Sequence, residues 1–174
     1  MKTELKRSDI SAAGRSFAVV VARWNDEFTS KLAEGAMEAL LGAGAKREDI
    51  DVFHVPGAFE LPVACLKAAE SGEYDAVIAL GVVIRGDTPH FDYVAGQAAA
   101  GLMHASMQTG VAVMFGVITA DNVEQVIERT GEGSDNKGFE AAISAIETAS
   151  TLSEIIRKTE ARFEERKESY LNVA

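Results

Sequence analysis

Apolar residues along this chain occur either in short unbroken runs or at the three- and four-residue spacing of helices. Unbroken β-branched runs are typical of strands buried on both faces of a sheet, and they predict strands at residues 17–23, 50–55, 75–84 and 111–119. Helical spacing predicts helices between and after these strands, at residues 27–43, 58–71, 90–109, 122–130 and 136–157. The chain therefore alternates strand and helix.

This alternation, with its short connections, predicts a parallel sheet, because each parallel strand needs a crossover before the next one. We expect an α/β fold, a three-layer α/β/α sandwich of flavodoxin-like type with a mainly parallel four-stranded sheet. A single domain is predicted for residues 15–157. Residues 1–14 are predicted to form an N-terminal arm, which has strand character near its end and can add to a neighbouring subunit's sheet. Residues 158–174 are predicted to form a charged, frayed extension of the last helix.

A candidate binding site follows from this fold, because ligands of an open α/β sheet bind beyond the carboxyl ends of its strands. The first three predicted strands lead into Trp24, into the turn 56–60 and into the loop 85–90, and the fourth ends with residues 115–119. All four strand ends are expected on one rim. They supply an aromatic face, a carboxylate, a glycine turn with a hydroxyl group and an imidazole.

Composition narrows the partners of such a site. The chain of 174 residues has a net charge of −10 and a pI near 4.8, and it has no basic stripe, so nucleic acid is not expected as a partner. The single cysteine, Cys65, cannot form an internal disulfide, which suits a reducing cytoplasm. No apolar run reaches the length of a membrane span, and no signal-peptide core is present. We expect a cytoplasmic protein that binds small molecules.

Residues on the predicted rim each have a structural and a functional interpretation. Trp24 either caps the edge of the core or stacks on a planar heterocycle. Glu60 either complements the dipole of its helix from the first turn or accepts hydrogen bonds from a polyol. The segment RGDTPH at 85–90 is either an N-capping loop or an anion site, in which Gly86 and Thr88 precede a helix N-terminus with unpaired N–H groups.

Charged residues at and beyond this loop have similar alternatives. The side chain of Asp87 would repel phosphate, so any contact there is expected through the backbone N–H. His90 is either a solvated side chain or a proton-transfer group, because histidine exchanges protons near neutral pH. Arg129 and Lys137 flank the loop TGEGSDN and are either solvated or bind a phosphate group.

Several long motifs, in order and at matching spacing, give the chain a resemblance to a known family. They are ARWND, VPGAFELP, YDAVIALGVVIRGDTPHFDYVAG, FGVITADNVEQVIER and NKGFEAAISAIE, which cover residues 16–156 approximately. With these motifs the chain resembles 6,7-dimethyl-8-ribityllumazine synthase, of riboflavin biosynthesis. The resemblance implies a transferase that condenses 5-amino-6-(D-ribitylamino)uracil with 3,4-dihydroxy-2-butanone 4-phosphate to give the lumazine, phosphate and water. It implies no metal and no organic cofactor.

The resemblance also implies roles for individual residues. It assigns proton transfer to His90. It assigns binding of the pyrimidine and its ribityl chain to Trp24, Asn25, Ala58, Phe59, Glu60, Val82, Val83, Ile84 and, from a neighbouring subunit, Phe115. It assigns the phosphate to Gly86, Asp87, Thr88, Arg129 and Lys137.

Assembly is also implied by the resemblance: a homopentamer with sites shared between adjacent subunits, or a capsid of sixty subunits, with riboflavin synthase as a further candidate partner. Two positions and one loop depart from the family pattern. Trp24 replaces a frequent Phe, Val82 replaces a frequent Thr, and TGEGSDNKG replaces AGTKxGNKG in a loop that bears on assembly beyond the pentamer. An alternative function is a non-catalytic flavin- or lumazine-binding or container protein on the same scaffold. A flavodoxin-like electron carrier or a phosphoacceptor module would need a phosphate loop or an acidic pocket after the first strand, and ARWNDEF provides neither clearly.

Overall fold

The computed structural model describes residues 10–171 and has a parallel β-sheet between two layers of helices. Strands β1 to β4 are Phe17–Ala22, Ile50–Val55, Ala76–Ile84 and Ala112–Ala120. They form a four-stranded sheet in the order β2-β1-β3-β4, and every pair of neighbours is parallel. This arrangement confirms the predicted α/β fold with its parallel sheet.

The helices follow the strands in the predicted order, and the second, fourth and fifth differ from the prediction in extent. Helices α1 to α5 are Asp26–Gly42, Leu61–Glu70, His90–Thr109, Val123–Ile127 and Lys137–Leu171, and short 3-10 turns lie at Arg47–Asp49, Ala58–Glu60 and Gly133–Asp135. The predicted charged extension of the last helix is helical, since α5 continues without a break to Leu171. Residues 154–167 of this helix are exposed on every face, and charged pairs such as Glu154–Lys158 stabilise it along its own surface.

Two hydrophobic layers account for the unbroken apolar pattern of the strands. In β1 the side chains of Phe17, Val19 and Val21 pack with residues of α1 and α5 on one face of the sheet. Ala18 and Val20 belong to a second cluster, formed with α2 and α3 on the other face. Because both faces of β1 are covered, all six of its residues are buried and apolar. The sandwich has the three predicted layers.

The register of the sheet opens a gap at the carboxyl end of β1. Strand β1 pairs with β3 only as far as Val21 and Leu80, whereas β3 pairs with β4 as far as Ile84 and Ala120. The last residues of β3 therefore have one free edge. The order in which strands are added also reverses at β1, since β2 lies on one side of it and β3 on the other. Such a switch point is where open α/β sheets bind ligands.

The N-terminal segment is only partly described. Residues 1–9 lie outside the described residues, so most of the predicted arm does as well. Residues 10–14 form no strand; Ala12 is buried and its backbone N–H donates to the carbonyl oxygen of Ala43 at the end of α1. Within residues 10–171, none of the helices combines the length and the apolar character that crossing a membrane would require.

Candidate active site

A cavity of about 660 Å³ lies at the carboxyl ends of β1, β2 and β3. Most of the residues predicted for the substrate and the phosphate loop line it together: Trp24, Asn25, Ala58, Phe59, Glu60, Val82, Val83, Ile84, Gly86, Thr88 and His90. Asp87 is in the same loop but does not line the cavity. The volume is in the range of pockets that enclose small organic ligands.

Trp24 lies in the cavity wall rather than over the core. The backbone of 23–24 continues beside the end of β2, because the Trp24 N–H donates to the carbonyl oxygen of Pro56 at 3.0 Å. Its side chain remains 74% exposed. An indole in that position does not cap the hydrophobic core, and its flat face is available to a planar ligand.

Asn25 bridges the gap between the ends of β1 and β3. It adopts a left-handed backbone conformation with φ 63° at the start of α1. This conformation lets the side-chain amide donate to the carbonyl oxygen of Val82 at 3.0 Å. Asn25 therefore occupies part of the free edge of β3, and the backbone groups of Val83 and Ile84 form the remaining wall.

The turn between β2 and α2 contributes a fixed carboxylate. The Glu60 Oε2 atom accepts a hydrogen bond from the Gly57 N–H at 2.9 Å, which caps this turn. The structural interpretation of Glu60 is therefore correct for one of its oxygens. Its Oε1 atom has no protein hydrogen-bond partner within residues 10–171, so the same side chain can also accept a hydrogen bond from a ligand.

The loop after β3 is exposed from Gly86 to the start of α3. His90 is the first residue of that helix and lines the cavity. Its imidazole has no hydrogen bond or ion pair with the described part of the chain, so its ring nitrogens are open to a ligand in the cavity.

Arg85 was not among the sequence-predicted site residues, yet it joins three elements beside the cavity. Its Nε donates to Asp121 Oδ1 at 2.9 Å, and its terminal nitrogens form a fork with the two carboxylate oxygens of Asp92 at 3.3 and 3.1 Å. The guanidinium carbon also lies 4.0 Å from the centre of the Phe91 ring. The hydrogen bonds to Asp92 and then Asp121 raise the pKa of Arg85 above its usual value.

Sequence reasoning also missed cavity residues in the first turn of α3. Phe91, Tyr93 and Val94 line the cavity with His90. Tyr93 and Val94 follow His90 by three and four residues, and this spacing places side chains on one face of a helix. Helical spacing from the candidate histidine could therefore have identified them.

A second groove, of about 370 Å³, runs along the edge strand β4 and α5. It contains the remaining predicted residues, Phe115, Arg129 and Lys137. Phe115 is predicted to lie with the strand ends on the rim, but it pairs with Ala79 in the middle of β4, which runs from Ala112 to Ala120. The expectation that all four strand ends share one rim is therefore wrong for Phe115.

The two concave sites differ in positive charge. Within the described residues, no Lys or Arg lines the cavity at the strand ends. The edge groove has two such residues, Arg129 and Lys137. The Arg129 guanidinium donates to the carbonyl oxygen of Gln125 at 2.8 Å and lies 3.4 Å from Glu128, while Lys137 pairs with Glu140. A single protomer thus has its candidate proton-transfer group and its candidate phosphate cations in different sites.

The buried thiol of Cys65 and the arrangement of metal-ligating side chains bear on two other kinds of chemistry. Cys65 is buried in α2, and burial raises the pKa of its thiol to about 12, so it is not a nucleophile at neutral pH. No group of three His, Cys, Asp or Glu side chains in the described part of the chain is arranged to hold a metal ion.

Two comparisons with known proteins show what this chain is similar to. The family model described as 6,7-dimethyl-8-ribityllumazine synthase matches residues 14–153. A 6,7-dimethyl-8-ribityllumazine synthase from Desulfatibacillum aliphaticivorans is 51% identical over 138 residues, which cover 79% of this chain and 89% of the relative. The matched region includes both concave sites and ends before the exposed part of α5.

Proposed function

The chain belongs to the 6,7-dimethyl-8-ribityllumazine synthase family, and from that premise we propose how its two concave sites perform the reaction. The chain is a transferase of riboflavin biosynthesis. It condenses 5-amino-6-(D-ribitylamino)uracil with 3,4-dihydroxy-2-butanone 4-phosphate and forms 6,7-dimethyl-8-ribityllumazine, phosphate and water. The alternative of a non-catalytic binding or container protein is not favoured, since both comparisons name a synthase.

The pyrimidine binds between Trp24 and the free edge of β3 in this proposal. The exposed indole offers a stacking surface, and the backbone of Val83 and Ile84 offers hydrogen bonds, because β1 pairs with β3 only as far as Leu80. Recognition through backbone groups also explains why Val can stand at position 82 without a side-chain hydroxyl. The carbonyl oxygen of Val82 already accepts the Asn25 amide.

The ribityl chain extends towards the turn between β2 and α2. There the Glu60 carboxylate is held by the Gly57 N–H and has one oxygen available for a hydroxyl group. Ala58 and Phe59 form the adjoining wall. A fixed acceptor next to apolar surface suits a polyol attached to a flat ring.

The phosphate of the second substrate binds at the loop between β3 and α3, through the backbone N–H groups of Gly86, Asp87 and Thr88. This position is next to His90, which transfers protons. Condensation of the substrate amine with the ketone, elimination of phosphate and closure of the ring each move protons, and one histidine within reach of both substrates can serve all three steps. Holding two substrates in one cavity can remove about 7–11 kcal/mol of the barrier in favourable cases.

A neighbouring subunit completes the site with Phe115, Arg129 and Lys137. The observation that supports this is the separation of charge: the described residues that line the cavity include no Lys or Arg, whereas the edge groove has two. A phosphate dianion that leaves during the reaction needs such a cation. Because β4 is the edge strand of the sheet, its groove faces outward and can meet the cavity of another copy.

The family typically forms oligomers, and we propose a homopentamer in which each neighbouring pair shares one site. The N-terminal arm adds to the sheet of a neighbour in this assembly, at the free edge of β2. A shell of sixty subunits and an encounter with riboflavin synthase are further proposals of the same kind. A cytoplasmic location is also proposed, since Cys65 is a free thiol.

The test of the catalytic assignment measures lumazine absorbance after the two substrates are mixed. The wild-type chain should form the product, and His90→Ala should lower kcat by about 10²–10⁴-fold, the usual contribution of a general acid–base group. The matched control is His104→Ala, which changes an exposed histidine of the same helix outside the cavity and should leave kcat unchanged. A His90→Ala chain with full kcat would assign proton transfer to water or to the substrate itself.

A further inference from the structure

Arg85 connects three parts of the protein that meet at the proposed phosphate loop. Its backbone N–H donates to the carbonyl oxygen of Ala120 at 2.8 Å, which fixes the end of β3 against β4. Its side chain reaches Asp121, just after β4, and Asp92, in the first turn of α3. The loop 86–89 lies between the backbone and the side-chain attachments of this one residue.

The guanidinium of Arg85 is not available to a substrate phosphate. Its Nε and both terminal nitrogens are engaged with two carboxylates, so its positive charge is already balanced by negative charge. It also does not line the cavity. Arg129, by comparison, has one carboxylate within ion-pair distance, at 3.4 Å. Arg85 therefore acts through the groups that it holds rather than by direct contact with phosphate.

Two of those groups, Phe91 and Asp92, directly follow His90 in the chain. Asp92 follows His90 by two residues, and Phe91 presents its ring to the Arg85 guanidinium at 4.0 Å while it also lines the cavity. The fork to Asp92 fixes the first turn of α3 relative to the ends of β3 and β4. Because His90 is the first residue of α3, this attachment also fixes its backbone, together with the amide groups of Gly86 and Thr88.

We propose that Arg85 is a positioning residue of the condensation, which sets the distance between the phosphate-binding amides and the proton-transfer histidine. The chemistry requires this distance to be constant, because the same substrate must bind its phosphate at the loop while its ketone reaches His90. Lysine cannot replace arginine in this role, since a single ammonium group cannot form the planar fork and the separate Nε bond together. The inference rests on the proposed roles of the loop and of His90.

The experiment compares steady-state kinetics of Arg85→Gln, Arg85→Lys and Asp121→Asn with those of the wild-type chain, varying each substrate in turn. We expect Arg85→Gln to lower kcat/KM for the butanone phosphate by about 10–100-fold, as displaced catalytic groups do. The KM for the pyrimidine should be unchanged, because its wall is formed by β1, β2 and the edge of β3. Arg85→Lys should have the thermal stability of the wild-type chain, but its KM for the butanone phosphate should be raised, as in Arg85→Gln. Asp121→Asn should lower kcat/KM for the butanone phosphate by a smaller factor. The double variant with Arg85→Gln should lose less than the product of the two single factors, because both substitutions break the same contact.

The matched control is Lys67→Gln, which removes another surface cation paired with a carboxylate, Glu70, away from the cavity. Its kinetics should equal those of the wild-type chain. Unchanged kinetics in Arg85→Gln, full recovery of the phosphate-substrate KM in Arg85→Lys, or an equal rise of both KM values would each overturn the positioning role. Failure of the wild-type chain to form lumazine would instead overturn the proposed function, so the two failures are distinguishable.

Discussion

The exposed indole of Trp24 leads to a specific prediction about pyrimidine binding. A ligand that stacks on it would cover apolar surface that is 74% exposed in the isolated chain. Stacking of a base on an aromatic side chain contributes about 1–3 kcal/mol, so Trp24→Ala should raise the KM for the pyrimidine roughly 5- to 150-fold. Trp24→Phe should stay near the wild-type value, because it keeps a flat face.

The control for this change is Phe163→Ala, which removes another exposed aromatic ring, on the part of α5 beyond the family match. Its KM should be that of the wild-type chain. If Trp24→Ala bound the pyrimidine with an unchanged KM, the stacking role would have to be abandoned.

Cys65 gives a prediction about stability at alkaline pH. Burial raises the pKa of its thiol to about 12 in the folded chain, whereas an exposed thiol has a pKa of about 8.5. Between these values the unfolded chain loses the proton and the folded chain keeps it, so the unfolded state binds fewer protons. The contribution of the neutral thiol to stability is therefore complete below about pH 8.5 and is lost as the pH rises towards about 12.

Urea unfolding at about pH 8 and about pH 11 measures this effect. The free energy of unfolding of the wild-type chain should fall more steeply between the two than that of Cys65→Ala. Tyr74→Phe is the necessary companion variant, since burial and the hydrogen bond to Asp51 also raise the pKa of Tyr74. An equal fall in the wild-type chain and in Cys65→Ala would show that the thiol does not ionise on unfolding.

At the scale of elements, Asn136 joins the loop before α5 to helix α1. It is 3% exposed, and its amide donates to the carbonyl oxygens of Lys31 at 2.8 Å and Gly131 at 3.1 Å. Its oxygen accepts from the N–H of Gly138 at 2.8 Å. A side chain at Gly35 would lie against this amide, so the glycine allows the close approach of α1.

Asn136→Ala should lower the free energy of unfolding by about 2–4 kcal/mol, because it leaves several buried backbone groups without partners. Denaturant titration checks this value. The control is Asn122→Ala, which removes an exposed N-cap of α4 with a single hydrogen bond and should cost about 1 kcal/mol. Equal losses in the two variants would contradict the structural role of the buried amide.

Elements with an unambiguous apolar pattern could be predicted from the sequence almost to the residue. The bounds of β2 and α3 agree with those predicted, because turn residues mark both ends of each. The length of α5 could not be predicted in this way: its residues 154–167 are exposed and are linked by charged pairs along the helix itself. A charged segment gives no periodic apolar signal, so the pattern does not show where the helix ends.

The candidate site was predictable in its backbone and less so in its side-chain partners. The rule that ligands bind beyond the strand ends predicted that Trp24, Glu60 and His90 lie close together, and all three line one cavity. Arg85 was missed because its importance depends on Asp121, which is distant in sequence and reaches it only when β3 and β4 pair. Phe115 lies in the middle of β4 and lines the edge groove, and an unbroken apolar run does not show which of its side chains face a groove.

At the scale of the whole molecule, the acidic chain keeps its proposed phosphate cations away from its proposed proton-transfer histidine. The net charge is −10, and within residues 10–171 the cavity at the strand ends has no lysine or arginine in its wall. The edge groove holds Arg129 and Lys137. If each cavity meets the groove of a neighbour, assembly supplies the missing charge, and an isolated protomer should be inactive.

Co-expression of His90→Ala and Arg129→Ala chains tests this claim most directly. Each variant alone should be nearly inactive, since every site lacks one of the two groups. In mixed oligomers, verified by native mass spectrometry, random assembly gives about a quarter of the shared sites both wild-type halves, so about a quarter of the wild-type lumazine-forming activity should return. Mixed oligomers with no more activity than the variants alone would contradict the shared site.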